Sequence, residues 1–365
     1  MAASKRRSVA IPGHIETMEA RLVAELPRDE GWQYEPKWDG FRCLAIRDGS
    51  RVELQARSGK SLSRYFPEML AAVSAVAAKR FVVDGELVIP QDETLSFQAL
   101  QMRLHPAASR IARLAEATPA TLVLFDMPFD VGGGDLMRQP LCERRGALER
   151  FFASLNRTRA GRFVLTPYTR SVREAEKWLA RAGGALDGVV AKRVDGPYVP
   201  GERAMLKVKR LRTADCVVGG YRLGSGTREV GSLLLGLFNR EGLLDHVGFT
   251  AAIPARERKA LTQRLRGLAG GPGFTGNAPG GPSRWSNERS GEWCPVKPSL
   301  VVVVCYDQVT AGRFRHGTRL LRWRPDKAPR QCTDEQLGRE ARPSRLISAL
   351  LRPEADPAHR DGGGA

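Results

Sequence analysis

Segments in which apolar and polar residues alternate, and short runs of apolar residues, recur in the first part of the chain, and both patterns predict β-strands. A turn of sequence Asp-Gly-Ser at 48–50 favours a hairpin between two of them. The predicted strands cover residues 33–37, 41–47, 51–56, 81–89, 121–126, 187–192 and 204–209.

Apolar residues at helical spacing lie between these strands and predict helices at 64–79, 96–103, 106–117, 141–153 and 171–181. Residues 15–26 show mixed helical periodicity, and we expect them to pack on the first domain. Helices and strands mix without a strict alternation of strand, helix and parallel strand. The pattern therefore predicts an α+β fold rather than a doubly wound sheet.

The second part of the chain is richer in strands, which are predicted at 216–221, 233–238, 243–250 and 300–306, with one helix at 256–268. Short strands at this spacing with a single helix favour a small Greek-key barrel of the OB type. Residues 267–283 are dense in glycine and proline and predict a flexible loop. We therefore expect an N-terminal lead-in (1–30), a first domain (31–211), an OB-fold domain (212–330) and a polar, flexible tail (331–365).

The composition indicates which kind of molecule the protein binds and in which compartment it is expected. The 365 residues carry a formal net charge of +18, which favours a polyanion such as nucleic acid over a merely soluble, arginine-rich surface. The six cysteines form no CxxC pair, which argues against a zinc ribbon and suits a reducing cytoplasm. No secretory signal and no apolar run of about 20 residues is present. We expect a cytoplasmic, nucleoid-associated protein without a membrane partner.

The most distinctive stretch of the chain is Glu-Pro-Lys-Trp-Asp-Gly-Phe-Arg at 35–42. Lys37 is a candidate nucleophile, because a lysine amine attacks an electrophile once burial or nearby cations favour loss of its proton. Gly40 lets the backbone approach a ligand closely. The alternative is an exposed strand end with a surface salt bridge, and the motif is too short to exclude it alone.

Six segments in a fixed order favour the nucleophile over the surface salt bridge. Together they resemble the motifs of the nucleotidyltransferase superfamily that contains ATP-dependent DNA ligases and mRNA capping enzymes. A seventh segment, Arg-Trp-Arg-Pro-Asp-Lys at 322–327, resembles the motif that closes the OB domain of these ligases. The stretches at 197–198, 203–207 and 314–316 are most similar to stand-alone bacterial ligases of the LigC type. The six segments are residues 37–42, 55–60, 84–88, 124–127, 187–192 and 206–209.

The resemblance implies a role for each lysine. Lys37 would attack the α-phosphorus of ATP, expel pyrophosphate and form a lysyl-AMP phosphoramidate. Lys207 and Lys209 lie on one face of a strand and would bind the α-phosphate, while their charges favour deprotonation of Lys37. Lys192 would be a further phosphate-binding cation. The alternative for each of these lysines is a solvated strand end.

Two carboxylates resemble the family residues that bind a metal ion or contact the ribose. The metal ion would be Mg²⁺, and Mn²⁺ could take its place. Glu86 lies inside a predicted strand, which argues against the alternative of a helix cap, although a salt bridge is a second alternative. Asp187 stands where the family usually has glutamate. Aspartate is shorter by one methylene group, which leaves direct contact with a metal open. Mg²⁺ takes one or two carboxylates together with phosphates and waters.

The remaining positions resemble residues that recognise the nucleotide. Phe125 would stack on adenine, although a core phenylalanine is the alternative for an aromatic residue in an apolar strand. Glu35 would contact the adenine amino edge. Arg42 and Arg57 would contact the ribose and later the 5′ end of DNA. The closing segment would orient the pyrophosphate leaving group, or alternatively form a basic DNA-binding face, through Arg322, Arg324, Asp326 and Lys327.

These observations predict an ATP-dependent DNA ligase that seals nicked duplex DNA, with AMP passing from ATP to lysine and then to the 5′-phosphate. ATP is expected rather than NAD⁺, because nothing resembles the accessory domains of NAD⁺ ligases. The alternatives are an RNA-end nucleotidyltransferase (an RNA ligase or capping guanylyltransferase) and a non-catalytic, ligase-like DNA-binding protein. We expect a monomer acting in DNA repair with a Ku-type or other repair partner. The repair pathway stays open between end joining, single-strand break repair and excision repair.

Overall fold

The computed structural model describes residues 9–91, 94–155, 162–180, 186–280 and 292–338. These residues form two compact units, and the chain passes from the first to the second between Arg210 and Leu211. Several predicted segments are only partly covered, including the helix predicted at 171–181, of which residue 181 lies outside the described residues. Residues 1–8 of the lead-in, 281–283 of the glycine-rich loop and 339–365 of the tail lie outside the described residues.

The first unit combines strands and helices, which confirms the α+β prediction. Its helices are α1 (Pro67–Ser74), α2 (Phe97–Arg103), α3 (Ala108–Ala117), α4 (Leu141–Ser154) and α5 (Val172–Ala180). Its strands are β1 (Ala20–Leu22), β2 (Trp32–Trp38), β3 (Phe41–Asp48), β4 (Arg51–Ala56), β5 (Arg80–Val88), β6 (Pro90–Gln91), β7 (Thr94–Leu95), β8 (Thr121–Phe129), β9 (Phe163–Leu165), β10 (Leu186–Arg193) and β11 (Met205–Lys209).

Two sheets form the framework of this unit. The larger sheet has the order β4-β3-β5-β8-β9 and is antiparallel except for the β8–β9 pair. One of its faces packs against α1, α2 and α4, and the core between them includes Phe81, Leu122, Met69, Leu100 and Phe151. The smaller sheet has the order β1-β11-β10-β2. Helix α5 packs on it through the buried Ala175.

The helical prediction for residues 15–26 is wrong, because this segment is irregular and contains only the short strand β1, which pairs in parallel with β11. The buried residues Ile11, Ile15 and Met18 have helical spacing, but Ile11 and Ile15 lie in one apolar cluster and Met18 lies in another. The Gln55 side chain accepts a hydrogen bond from the backbone N–H of Ile15 (3.3 Å) and donates one to its carbonyl (2.5 Å). Tertiary contacts thus satisfy the polar backbone atoms of Ile15 without a helix.

The helix predicted at 64–79 is shorter than expected. A single 3₁₀ turn at Ser63–Tyr65 precedes α1, which begins at Pro67. Proline is favoured in the first turn of a helix because it lacks an N–H that would otherwise need a partner there. The sequence therefore located the helix but not its limits.

The second unit is a strand-rich domain. Its elements are β12 (Arg212–Leu223), β13 (Val230–Phe238), β14 (Leu244–Thr250), α6 (Ala255–Arg266), β15 (Cys294–Pro295), β16 (Val301–Tyr306), β17 (Val309–Thr310), β18 (Arg313–Phe314), β19 (Arg319–Trp323) and α7 (Glu335–Gly338). The main sheet has the order β14-β13-β12-β16-β19, with β15 also paired to β12. All of these pairs are antiparallel, which is consistent with the predicted OB-type barrel.

Two segments that were predicted as a flexible loop and a polar tail contribute buried residues to the core of this unit. Phe274, within the glycine- and proline-rich stretch, is buried in the core of the second unit. Cys332 and Leu337, in the segment predicted as a polar tail, are buried in the same core. Strand β19 carries the beginning of the closing segment and was not predicted as a strand.

A buried ion pair gives a stability prediction for the first unit. Glu68 accepts two hydrogen bonds of 2.6 Å from Arg103, whose side chain is fully buried. Glu68→Ala should lower the free energy of unfolding by about 3–5 kcal/mol, because it leaves a buried cation without its partner. Urea unfolding followed by circular dichroism measures the change.

The matched control is Glu174→Ala, which removes the exposed partner of Lys177 on α5. This variant should change stability by less than about 1 kcal/mol, because exposed ion pairs contribute little. Equal losses in the two variants would contradict the assigned importance of the Glu68–Arg103 pair.

Candidate active site

The smaller sheet of the first unit brings Lys37 and Lys209 to opposite sides of one glycine. In the strand register, Gly188 of β10 pairs with Lys37 of β2 and also with Lys209 of β11. Gly188 has a φ of +144°, and a Cβ atom there would lie 2.0 Å from the carbonyl oxygen of Val208. Only glycine fits, so the close approach of the three strands depends on this residue.

Asp187, the residue before this glycine, links the two lysines. Its Oδ2 atom lies 2.6 Å from Nζ of Lys37 and 3.1 Å from Nζ of Lys209. The Asp187 side chain is 5% exposed, whereas that of Lys37 is 25% exposed. The carboxylate therefore holds two ammonium groups in place at a surface that solvent and a ligand can still reach.

Lys207 adds a third cation to this group. Burial lowers its pKa, and the neighbouring charges of Lys37, Lys209 and Arg57 lower it further, although Asp187 opposes them. Like charges so close together repel one another, and an anion relieves that repulsion. The arrangement thus favours binding of a phosphate group at Lys37, Lys207 and Lys209.

Glu86 is a half-buried carboxylate on β5. Burial raises its pKa to about 7, while Lys37 and Arg42 act in the opposite direction. Its carboxylate makes no hydrogen bond or ion pair with another described residue. The turn at Gly40 packs closely against it, because a Cβ there would lie 2.1 Å from the Leu87 carbonyl oxygen and 2.9 Å from Cγ of Glu86.

The donors here fit a magnesium site completed by phosphate. The described residues contain no cluster of three or more His, Cys, Asp or Glu side chains that could hold a metal alone. Mg²⁺ commonly uses one or two carboxylates together with substrate phosphates and waters. Glu86 offers an unpaired carboxylate, whereas the carboxylate of Asp187 already contacts two lysines.

Phe125 lies at a bulge in β8. The pairing of β5 with β8 passes from Asp84–Asp126 to Gly85–Leu124, so Phe125 is the extra residue on its strand. Its ring is buried and contacts two cations, with the Arg42 guanidinium carbon 4.5 Å and Nζ of Lys192 4.8 Å from the ring centroid.

Glu35 and Lys192 form a buried ion pair of 2.8 Å, and each side chain is 4% exposed. Lys192 also donates a hydrogen bond to the carbonyl oxygen of Phe125 (3.3 Å), and Gln33 donates one to Glu35 (2.9 Å). The sequence predicted separate contacts of these two residues with adenine and with phosphate. In the structure the two residues pair with each other, and Lys192 lies beside the Phe125 ring.

Arg42 is held by two residues for which no role was predicted, Asp84 and Tyr198. The fully buried Asp84 accepts two hydrogen bonds of 2.6 Å from Arg42 and one of 2.7 Å from the Tyr198 hydroxyl. A buried carboxylate in an apolar strand requires a partner, so Asp84 was recognisable in principle. Tyr198 had no such signal, because it lies in a loop far from Asp84 in sequence.

Arg57 lies on the loop after β4 and is 67% exposed. Its Nε atom is 3.9 Å from the Glu19 carboxylate, a contact that the sequence did not predict. Arg57 also lies close enough to Lys207 to affect its pKa. It extends the group of cations around Lys37 toward solvent.

The closing segment belongs to the second unit, where Asp215 of β12 anchors it. Asp215 lies 3.1 Å from Arg324 and 2.7 Å from Nζ of Lys327. Arg324 also pairs with Asp326 at 2.8 Å, and this hydrogen-bonded arginine lowers the pKa of Asp326 to about 2. Arg322 lies on β19 opposite Val303. Asp215 is the single acidic residue of β12, and no motif in the sequence marks it.

A strand lysine grouped with two further lysines around one carboxylate is the arrangement expected of a nucleotidyltransferase domain. Residues 15–209 match the model of the ATP dependent DNA ligase domain, and residues 226–327 match that of the ATP dependent DNA ligase C terminal region. The chain belongs to the ATP-dependent DNA ligase family, which confirms the resemblance drawn from the seven motifs.

Two relatives span nearly the same length. The chain is 43% identical over 353 residues to DNA ligase C2 of Mycolicibacterium smegmatis, covering 92% of this chain and 98% of the relative. It is 41% identical over 339 residues to DNA ligase C of Mycobacterium tuberculosis, covering 89% and 94%. A solved Lig E DNA ligase aligns with a TM-score of 0.53 at 19% identity, over 85% of this chain and all of that one, and supports the fold. No helix among the described residues is long and apolar enough to cross a membrane.

The raised pKa of Glu86 predicts a pH effect on stability in the absence of metal. The folded state holds the Glu86 proton more tightly than the unfolded state, in which the pKa is about 4.5. Stability from this group is therefore fully present below about pH 4.5 and is lost as the pH rises through about 7. Glu86→Gln should remove this dependence, so that the variant gains about 1–2 kcal/mol relative to wild type between pH 5 and pH 8.

Urea unfolding at the two pH values measures this difference. The matched control is Glu116→Gln, an exposed position on α3, which should follow the wild type at both values. If the Glu86→Gln and wild-type stabilities change in parallel with pH, Glu86 does not titrate as described.

Proposed function

We propose that this protein seals nicks in duplex DNA, with Lys37 as the residue that carries AMP. The observation that carries the proposal is the position of Lys37 across Gly188 from Lys209, with Asp187 in contact with both ammonium groups. A nucleophilic amine, cations for an α-phosphate and a proton acceptor are thus within one sheet of the first unit.

In the first step, the Lys37 amine attacks the α-phosphorus of ATP. A nitrogen–phosphorus bond forms while the bond from the α-phosphorus to the pyrophosphate oxygen breaks, and pyrophosphate leaves. The amine must first lose a proton, and the Asp187 carboxylate, 2.6 Å from Nζ, is the group placed to accept it. Lys207 and Lys209 neutralise the non-bridging oxygens of the α-phosphate.

In the next two steps, AMP moves to DNA and is then released. An oxygen of the 5′-phosphate at the nick attacks the lysyl-AMP phosphorus and displaces the Lys37 amine. The 3′-hydroxyl then attacks the 5′-phosphorus, forms the phosphodiester and releases AMP. Arg57, exposed beside this group of cations, would bind the 5′ end of the DNA.

The nucleotide and metal assignments are part of the same proposal. Phe125 would stack on adenine, Glu35 would contact its amino edge and Arg42 would contact the ribose. Mg²⁺ or Mn²⁺ would be held by Glu86, with Asp187 as a second carboxylate, and would supply charge neutralisation on the phosphates. The closing segment would orient pyrophosphate through Arg322, Arg324, Asp326 and Lys327.

The charge of the chain bears on its biological setting. The net charge of +18 supports binding to DNA and a location at the nucleoid in the cytoplasm. We propose a monomer that acts in DNA repair, with a Ku-type or other repair protein as a partner. Affinity for DNA should fall steeply with salt, because phosphate contacts release counterions.

Lys37→Ala should abolish covalent labelling by α-labelled ATP in the presence of Mg²⁺, because the amine that forms the phosphoramidate is gone. We expect a loss of at least about 100-fold. Denaturing electrophoresis measures the label, and mass spectrometry locates it. Lys79→Ala, at an exposed lysine, is the control and should label like the wild type. Labelling of Lys37→Ala at the wild-type level would overturn the assignment.

The substrate is tested with enzyme that already carries AMP and with ATP removed. Such enzyme should seal a nicked DNA duplex that has a 5′-phosphate, but not one that has a 5′-hydroxyl, because only the phosphate can accept AMP. Denaturing gels of the labelled strand report both the DNA-adenylate and the sealed product. Faster sealing of nicked RNA than of nicked DNA would point to the RNA-end alternative.

A further inference from the structure

Tyr198 lies outside the seven motif segments, on the connection between β10 and β11, and its ring is 2% exposed. Its hydroxyl donates a hydrogen bond of 2.7 Å to Oδ2 of Asp84. We propose that Tyr198 is a positioning residue that fixes Arg42 through Asp84 and thereby sets the preference of the enzyme for a ribonucleotide. The proposal rests on the proposed function, because it concerns how the bound ATP is recognised.

The Asp84 carboxylate holds Arg42 in one orientation. Arg42 donates from Nε to Oδ1 and from Nη2 to Oδ2, both at 2.6 Å, which is the bidentate geometry of a strong pair. Asp84 itself is fully buried, so no water can replace a missing donor without rearrangement. The Tyr198 hydroxyl supplies the third hydrogen bond and keeps this carboxylate from turning.

Arg42 has one donor group left for a ligand. Its Nη2 also donates to the carbonyl oxygen of Met18 (3.2 Å), and its guanidinium carbon lies 4.5 Å from the Phe125 ring centroid. Its Nη1 makes no hydrogen bond to another described residue, and the side chain is still 19% exposed. The position of Nη1 is therefore set by Asp84, Met18 and Phe125, next to the ring proposed to stack on adenine.

Tyr198 is itself held firmly enough to act this way. Its backbone N–H donates to the carbonyl oxygen of Met137 (2.7 Å), and its ring packs with Met18 and Met205. Burial, together with the charge of Asp84, raises the pKa of the phenol well above its usual value, so the hydroxyl remains a donor. Phenylalanine at this position keeps the apolar contacts and removes only the hydroxyl group.

The ribose preference provides a readout that a purely structural role would not change. If Nη1 of Arg42 contacts the ribose 2′-hydroxyl, an enzyme with a correctly held Arg42 reacts faster with ATP than with 2′-deoxyATP. Loosening Arg42 removes this advantage and affects the deoxynucleotide little. A general loss of folding would instead lower the rate of lysyl-AMP formation with both nucleotides by the same factor.

The experiment measures the rate of lysyl-AMP formation with ATP and with 2′-deoxyATP in single-turnover reactions of the full-length protein. For Tyr198→Phe we expect the rate with ATP to fall about tenfold and the rate with 2′-deoxyATP by less than about twofold. Asp84→Asn, which preserves shape but removes the charge, should lower the ratio of the two rates in the same direction. Tyr168→Phe, at a partly exposed tyrosine, is the matched control and should keep the wild-type ratio.

Each outcome decides the proposal. A reduced ratio in Tyr198→Phe and in Asp84→Asn supports it. An unchanged ratio, or equal slowing with both nucleotides, overturns it, as does a wild type that makes no distinction between ATP and 2′-deoxyATP. Thermal unfolding of each variant accompanies the kinetics, and Asp84→Asn supplies the answer if Tyr198→Phe does not fold. Label on Lys37 in the wild type supports the proposed function whatever the ratio shows, so the two proposals can fail separately.

Discussion

The contact of one carboxylate with two lysines, across a residue that must be glycine, is the constraint on which this site depends. Three like charges would not stay together in the free protein without a counter-ion, because their repulsion is strong where solvent is partly excluded. Asp187 supplies that counter-ion, and the backbone at Gly188 brings the strands close enough for it to reach both ammonium groups. The lysines are thus already held together in the free protein, which would reduce the reorganisation needed if they bind the phosphate as proposed.

The same solution recurs elsewhere in the first unit, where buried ion pairs fix the side chains around the site. Arg42 on β3 pairs with Asp84 on the neighbouring strand β5, and Lys192 on β10 pairs with Glu35 on the neighbouring strand β2. Arg42 and Lys192 both contact the Phe125 ring. Buried pairs add little net stability compared with apolar residues, but they leave few alternative geometries. Their value here is positional, because each one holds a hydrogen-bonding group next to a candidate nucleotide-binding surface.

Local patterns in the sequence were sufficient for most of the strands, for the α+β class and for placing Lys207 and Lys209 on one face. The failures arose where distant segments decide the outcome. Residues 15–26 have helical spacing but form β1 and irregular structure, because their contacts are with other strands. Likewise, the Glu35–Lys192 pair follows from the register of β2 and β10, which a single sequence does not reveal. Tyr198 and Asp215 were missed for the same reason, because their partners lie far away in sequence, whereas the position of Asp84 in a buried strand could have marked it.

Arg324 and Lys327 both pair with Asp215, so neither cation can bind another anion without first leaving that carboxylate. An incoming anion must displace a carboxylate that is already in place, so weak or singly charged anions gain little by binding there. A polyphosphate carries more charge and would compete better for the two cations. If the closing segment binds such a ligand, as proposed, Asp215 would favour highly charged ligands and would pair with both side chains again when the ligand leaves.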